Sequence, residues 1–286
     1  MRRSFFFDFV MVILCWTMFT AVHAQPVPPG GGEFIIMDEF NIESGEPRGI
    51  GDPWCGSGAC DPRTQIEYSR ADASEEWEHW PKEASGSAVY YDGTGQIQME
   101  MNAAPWQSYI DARNGSRQAL TADHSYAVMA FITMPASGGM GFGLSEPSGS
   151  YFRGIKMIGG NIYFANNDES AWGDTGGDLQ AGTYTVGTEI GLMFLIDTSG
   201  NVTLWRKDGS EDRAVTSNWI EFTPASDPNG ELNYSHETEV LSIHTLSAAS
   251  DLEADTCAVD YLAWIEDPGM PGGPPVNAAR NWVLFD

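Results

Sequence analysis

Apolar residues recur along most of the chain in short runs or at every second position, with Gly, Pro, Asn, Asp or Ser at the ends of each run. Helical spacing is nearly absent. The pattern predicts strands over residues 34–40, 88–91, 96–101, 108–113, 126–134, 140–144, 152–158, 161–165, 183–186, 189–197, 202–207, 240–246 and 258–266, and one helix over 73–80. Ile97, Met99 and Met101 alternate with Gln96, Gln98 and Glu100, which describes a strand with one wet face. Residues 126–132 and 190–196 are apolar at consecutive positions, as central strands covered on both sides would be. Turn residues at Asp197, Ser199 and Gly200, and again at Asp208 and Gly209, bracket 202–206 as a hairpin requires. The expected class is all-β, a two-sheet antiparallel β-sandwich of about a dozen strands.

Two Pro/Gly-rich stretches mark the limits of this body, and a basic, then apolar segment precedes it. Residues 1–24 join Arg2 and Arg3 to an apolar run and end in Val22-His23-Ala24, the layout of a secretory signal peptide cleaved before Gln25. The expected organisation is therefore a signal peptide (1–24), a Pro/Gly-rich segment (25–33), one sandwich domain (34–267) and a Pro/Gly-rich tail with a short terminal strand (268–286). No second apolar run is long enough to span a bilayer, so no transmembrane segment is expected after processing. In the tail, Trp282, Val283, Leu284, Phe285 and Asp286 echo Phe34, Ile35, Ile36, Met37 and Asp38: four apolar residues and then Asp. A tethered apolar strand can pair with a sheet edge, so self-association through residues 277–286 is one expectation and a covering strand on the same domain is the other.

Charge narrows the partners. With 14 Lys+Arg against 40 Asp+Glu the formal net charge is −26, which repels nucleic acid and excludes its binding as the main role. Of the cysteines beyond the signal segment, Cys55 and Cys60 flank a small Gly-rich loop and are expected to form a disulfide in an oxidising compartment. Cys257 is left either buried in its strand or paired to one of these two. Cys-x4-Cys without a second pair or a His-x3-His does not describe a zinc site.

Two end motifs carry a family resemblance. Phe34, Ile35, Ile36, Met37, Asp38, Glu39, Phe40 and Asn41 resemble the opening strand of family-16 glycoside hydrolases, and Cys257, Ala258, Val259, Asp260, Tyr261, Leu262, Ala263 and Trp264 resemble their closing strand. Residues 189–209 resemble the strand, turn and strand common to the wider superfamily, the concanavalin A-like lectin/glucanase jelly rolls that include laminin G-like domains. The resemblance implies a jelly-roll sandwich with its terminal strands side by side. It also implies a structural calcium held by acids from those strands, at Glu39 and Asp260, with Asp38 as a near alternative. The chain departs from family 16 in lacking Glu-x-Asp-x-x-Glu, the motif that sets two carboxylates beside the scissile bond.

Other chemistry-bearing residues fall on strands and loops. Ser242, Ile243 and His244 resemble the Gln-Ile-His of alginate lyases, and Tyr151, Phe152 and Arg153 resemble their Tyr-Phe-Lys, in reversed order along the chain. Alternation within each strand places Tyr109, Asp111 and Arg113, Tyr151 and Arg153, Asn161 and Tyr163, and Ser242 and His244 on one face. A lyase would draw its proton-moving and charge-neutralising groups from His244, Tyr151, Arg153, Tyr163 and Arg113. A glycan-binding surface asks only for aromatic rings edged by amides and acids, for which Trp106, Trp172, Tyr109, Asp111, Arg113, Gln98 and Glu100 are the candidates. Sequons occur at Asn114, Asn201 and Asn233. The expected function is a secreted β-sandwich binding extracellular or cell-wall polysaccharide. The alternatives are a polysaccharide lyase or glycoside hydrolase on the same fold, and a structural or adhesive surface protein assembling through its C-terminal strand.

Overall fold

A computed structural model of the chain describes residues 31–40, 63–70, 76–81, 89–91, 95–101, 108–113, 118–135, 139–145, 152–168, 178–208, 218–224, 226–227, 230, 232–235, 238–246 and 255–269. The signal segment, Cys55, Cys60, Trp106, Trp172, Tyr151, the sequon at Asn114 and residues 277–286 lie outside the described residues. Every regular element among the described residues is a strand. In chain order these are β1 (Glu33–Asp38), β2 (Arg63–Gln65), β3 (Tyr68–Ser69), β4 (Glu76–Pro81), β5 (Val89–Tyr91), β6 (Ile97–Met101), β7 (Ser108–Arg113), β8 (Gln118–Ala119) and β9 (Tyr126–Thr133). They continue as β10 (Gly139–Ser145), β11 (Phe152–Ile158), β12 (Asn161–Asp168), β13 (Leu179–Thr183), β14 (Glu189–Ile196), β15 (Val202–Asp208), β16 (Ile220–Glu221), β17 (Thr238–Leu246) and β18 (Asp255–Glu266).

The strands form two antiparallel sheets. The first runs β16-β15-β14-β9-β18-β1-β3, with β6 also paired to β18 and β5 to β6. The second runs β13-β12-β11-β10-β17-β7-β4-β2, with β8 paired to β17. The all-β two-sheet sandwich expected from the sequence is thus the architecture of the protein. As the end motifs imply, β1 and β18 are neighbours, with Met37 opposite Ala263 and Asp38 opposite Leu262.

Alternation assigns the faces. Ile36, Val128, Ala130, Leu192, Phe194, Leu262 and Trp264 of the first sheet meet Phe142, Leu144, Ile155, Phe164, Leu241 and Ile243 of the second in one buried core. β9 and β14 are buried on their other face as well, where Ala127, Met129, Phe131, Met193 and Leu195 join a second apolar cluster. The consecutive apolar runs at 126–132 and 190–196 follow from this double coverage. The hairpin between β14 and β15 turns at Gly200, whose φ of 80° suits a residue without Cβ. Asp197 Oδ1 fastens that turn by accepting the N–H groups of Ser199 (2.8 Å) and Asn201 (2.9 Å).

Several polar groups lie in the interior, and some of them tie distant elements together. Asp38, 3% exposed, accepts the Phe40 N–H at 2.7 Å on Oδ1 and the Trp77 indole N–H at 2.6 Å on Oδ2. Because Trp77 belongs to β4, this bond links the two sheets across the core. Phe40 holds a positive φ of 52°, and its ring lies 6.1 Å from that of Trp77. Near another part of the interior, Arg153 Nη1 pairs with Glu239 Oε1, and the guanidinium stands 5.3 Å from the centroid of the Tyr234 ring. Cys257 is a free, fully buried thiol, and burial pushes it up to about 12, so it is inert at neutral pH.

Several local expectations are corrected. The helix predicted over 73–80 is strand β4 from Glu76 onward: Trp77 enters the core, and Glu76, Glu78 and Trp80 take alternate positions on the other side. The strand predicted over 183–186 lies earlier, at Leu179–Thr183, and Val186 is exposed. Arg153 does not share the outer face of Tyr163. It pairs in register with inward-facing Leu144, and it is Phe152 that turns outward, its ring lying over Gly141. The two parities of β11 each carry one cation and some apolar bulk, so alternation alone did not distinguish them.

Replacing Trp77 by Phe keeps most of the packing and removes the donor to Asp38. An unfolding free energy lower by about 2–4 kcal/mol is expected in urea titration. A loss below about 0.5 kcal/mol would mean that the inter-sheet bond contributes little.

Candidate functional site

The outer face of the second sheet gathers most of the polar and aromatic positions singled out from the sequence. Its register forms a continuous row: Trp80 opposite Tyr109, Tyr109 opposite His244, His244 opposite Gly141, Gly141 opposite Lys156, Lys156 opposite Tyr163, and Tyr163 opposite Gln180. Seven strands contribute, so the row spans about 29 Å at ~4.8 Å per strand. One step along the strands, a second row reads Arg63, Glu78, Asp111, Ser242, Gly143, Gly154 and Ala165. Glu76 stands opposite both Gln65 and Arg113 in a third.

The middle of this face has a backbone floor. β10 turns Gly139, Gly141 and Gly143 outward, and Gly143 meets Gly154 across the ladder. A Cβ on Gly143 would fall against the Arg153 carbonyl oxygen and 2.8 Å from the Gly154 Cα, so no side chain fits there. Lys156 beside this floor is fully buried and pairs with Asp178 at 3.0 Å. Ser242, Ala165 and Phe152 on the same face are also buried. Access to described side chains is greatest at the β12–β13 margin, where Gln180 Nε2 donates to Asn161 Oδ1 at 3.0 Å and Tyr163 is half-buried.

The sequence candidates divide accordingly. Tyr109, Asp111, Arg113, Tyr163 and His244 occupy positions on this face. Gln98 and Glu100 do not join them: they lie on β6, in the first sheet, at positions paired with Ala258 and Thr256. The lyase set is not brought together. Arg153 is held inside the sandwich by Glu239, and three strand spacings, about 14 Å, separate His244 from Tyr163 in the row. Tyr234, the phenol nearest Arg153, is driven well above its ordinary pKa by burial and then by the Glu239 carboxylate, so it stays protonated.

The acids expected to hold calcium were tested against their surroundings. Both oxygens of Asp38 already accept hydrogen bonds inside the core. Glu39 is exposed, with its backbone N–H donating to Glu67 Oε2 at 3.1 Å. Asp260 sits where the β18–β9 register shifts, two residues past the partner of Asp38. Among the described residues no group of three or more His, Cys, Asp or Glu could hold a metal ion.

Sequence reasoning missed the parts that depend on register. The sequence pattern puts Glu76, Glu78 and Trp80 in a helix and Gln180 outside every predicted strand, and nothing in it marks the glycines of β10 as facing outward. A Glu-x-Glu-x-Trp spacing ending at Pro81 is equally a strand pattern, and that reading would have found the first three.

No family model matches this sequence, and no curated protein matches it. Solved structures do. The chain is similar to an uncharacterized protein from Mycobacterium paratuberculosis at 12% identity, covering 81% of this chain and 100% of that one, with a TM-score of 0.46. It is similar to a glycosyl hydrolase family protein from Mycobacterium fortuitum at 11% identity over 81% of this chain and 99% of that one, with a TM-score of 0.46. Lectin II from Ulex europaeus matches at 12% identity over 67% of this chain and 92% of that one, with a TM-score of 0.44. Among the described residues no helix is long and apolar enough to cross a membrane.

Substituting Gly143 by Ala should destabilise the protein by about 1–3 kcal/mol through overpacking against Arg153 and Gly154. Chemical unfolding measures it, and an unchanged midpoint would contradict the close approach of β10 and β11.

Proposed function

We propose that this is an exported carbohydrate-binding sandwich that holds a polysaccharide along the outer face of its second sheet. One observation carries the reading: the cross-strand row that runs from Trp80 through Tyr109 and His244, over Gly141 and the buried Lys156, to Tyr163 and Gln180. Aromatic positions near both ends supply stacking surface for sugar rings, and His and amide positions supply hydrogen bonds to hydroxyls. A strand order that repeats at ~4.8 Å suits an extended polymer better than a compact ligand. With a net charge of −26, neutral glycans are favoured over polyanionic ones at low salt.

A second reading, glycoside hydrolysis, is favoured by a specific feature of the same face. Glu78 stands opposite Asp111, with Glu76 two residues away on the same strand. Positions directly opposite across an antiparallel ladder lie about 5 Å apart, close to the carboxyl separation that retaining glycosidases use. Binding remains the first reading because the central strand β10 turns only Gly139, Gly141, Gly143 and Ser145 outward, so no acid projects from the middle of the face.

Affinity electrophoresis of residues 25–286 through gels containing neutral or anionic polysaccharides tests both. Retardation by a neutral glycan is expected, weakened about 3–10-fold in Tyr109→Ala or Tyr163→Ala with melting unchanged. Unretarded migration in every gel would overturn the binding reading. Shortening of a glycan by the wild-type chain and not by Glu78→Gln would replace it with hydrolysis.

A further inference from the structure

At the β13 margin of the second sheet a break in register turns one side chain over. β13 pairs with β12 through Thr183 opposite Asn161 and Gly182 opposite Ile162, then skips Ala181, so that Gln180 stands opposite Tyr163. Ile162 and Gly182 are on the core side, where a Cβ on Gly182 would meet the Phe222 ring at 3.2 Å. Strict alternation would send Gln180 the same way as Gly182. Because Ala181 is an extra residue, itself packed against the core, Gln180 is turned to the outer face instead.

We propose that this bulge builds a subsite for one neutral sugar ring at the β12–β13 margin, gripped through Gln180, Asn161 and Tyr163. The subsite rests on the glycan-binding reading of the same face and narrows the decisive contact to one or two sugar residues. A bulge by itself would only blunt a sheet edge. Here the residue it turns outward is an amide held by a second amide. Gln180 Nε2 donates to Asn161 Oδ1 at 3.0 Å, and Asn161 Nδ2 donates to the Gly159 carbonyl at 3.4 Å. Those two bonds use one N–H of each amide and fix which way each is turned. One N–H on each amide and the Gln180 Oε1 acceptor are left for a ligand, beside the Tyr163 phenol. A donor and an acceptor side by side match neighbouring hydroxyls on a sugar ring, each of which both donates and accepts.

Exposure and charge agree with that ligand. Gln180 and Thr183 are exposed and Asn161 and Tyr163 half-buried, whereas Ala165, Lys156, Phe152 and Ser242 further in on the same face are buried. The open patch is two strands wide and two outward positions long, about 5 by 7 Å, which a single sugar ring covers. A cation does stand beside it: Lys156 is the cross-strand partner of Tyr163. It is fully buried, however, and paired with Asp178 at 3.0 Å, so its charge is balanced before a ligand arrives. The patch itself offers amide, hydroxyl and phenol groups. An uncharged sugar finds partners there, and a uronate carboxylate finds no counter-ion.

Competition in the retarding gel tests this. Residues 25–286 are run through neutral polysaccharides with free gluco-, galacto- and manno-oligosaccharides of one to six residues as competitors. The best disaccharide should release the protein within about 3-fold of the hexasaccharide of its series, and Gln180→Ala or Asn161→Ala should weaken retardation about 10-fold at unchanged melting temperature. Competition that strengthens steadily up to six residues, or full retardation of both variants, would overturn the subsite and leave the wider glycan reading standing. So would a uronate oligomer that competes better than every neutral one. Unretarded migration of the wild-type chain in every gel would overturn both. Should either variant not fold, the length series on the wild-type chain decides.

Discussion

A carboxylate in an apolar slab has to be given hydrogen bonds, and the way Asp38 obtains them fixes how the two sheets meet. One oxygen takes the N–H of Phe40 in its own segment, and the other takes the indole N–H of Trp77 from the opposite sheet. Hydrophobic burial is non-directional and would tolerate the sheets sliding over one another. A charged acceptor bound at 2.6 Å to a single donor does not. At the end of the opening strand, Asp38 thus ties its own segment to the opposite sheet. Asp38 is aimed into the core, and its neighbour Glu39 alone is left to solvent.

With the sheets fixed, their outer faces diverge in character. The first sheet is apolar on both sides along β9 and β14, whose residues divide between the core and a second buried cluster on the other face. The second is mixed outward. Its outer face combines buried, side-chain-free backbone at Gly141, Gly143 and Gly154 and the buried Phe152 and Ala165 with polar and aromatic positions in the strands to either side. The two outer faces therefore differ: that of the first sheet is lined by a buried apolar cluster, and that of the second carries the polar and aromatic positions on which the proposed glycan binding rests. The buried Lys156–Asp178 pair lies beside the glycine floor.

The strand class, most strand positions and the pairing of the terminal strands were legible in the sequence, because alternation and turn residues act locally. Residues 108–113 and 152–158 were located to the residue, and the doubly covered runs at 126–132 and 190–196 correctly announced central strands. What failed was information carried by partners. Glu76 to Trp80 fit a helix surface as well as a strand, until pairing with β7 and β2 decided it. Alternation turns Arg153 outward with Tyr151, and nothing within β11 discloses that Glu239, 86 residues on, meets it. Gln98 and Glu100 alternate just as Tyr109 and Asp111 do, and only sheet membership separates them.

The central claim is that the outer face of the second sheet is the glycan surface. The most direct measurement is a crystal structure of residues 25–286 soaked with oligosaccharides of the polymer that retards it most. The account predicts sugar density running across the strands of the second sheet, within contact of Tyr163 and Gln180 or of Tyr109 and Trp80. Ordered sugar bound only to the first sheet, or to neither sheet, would contradict it.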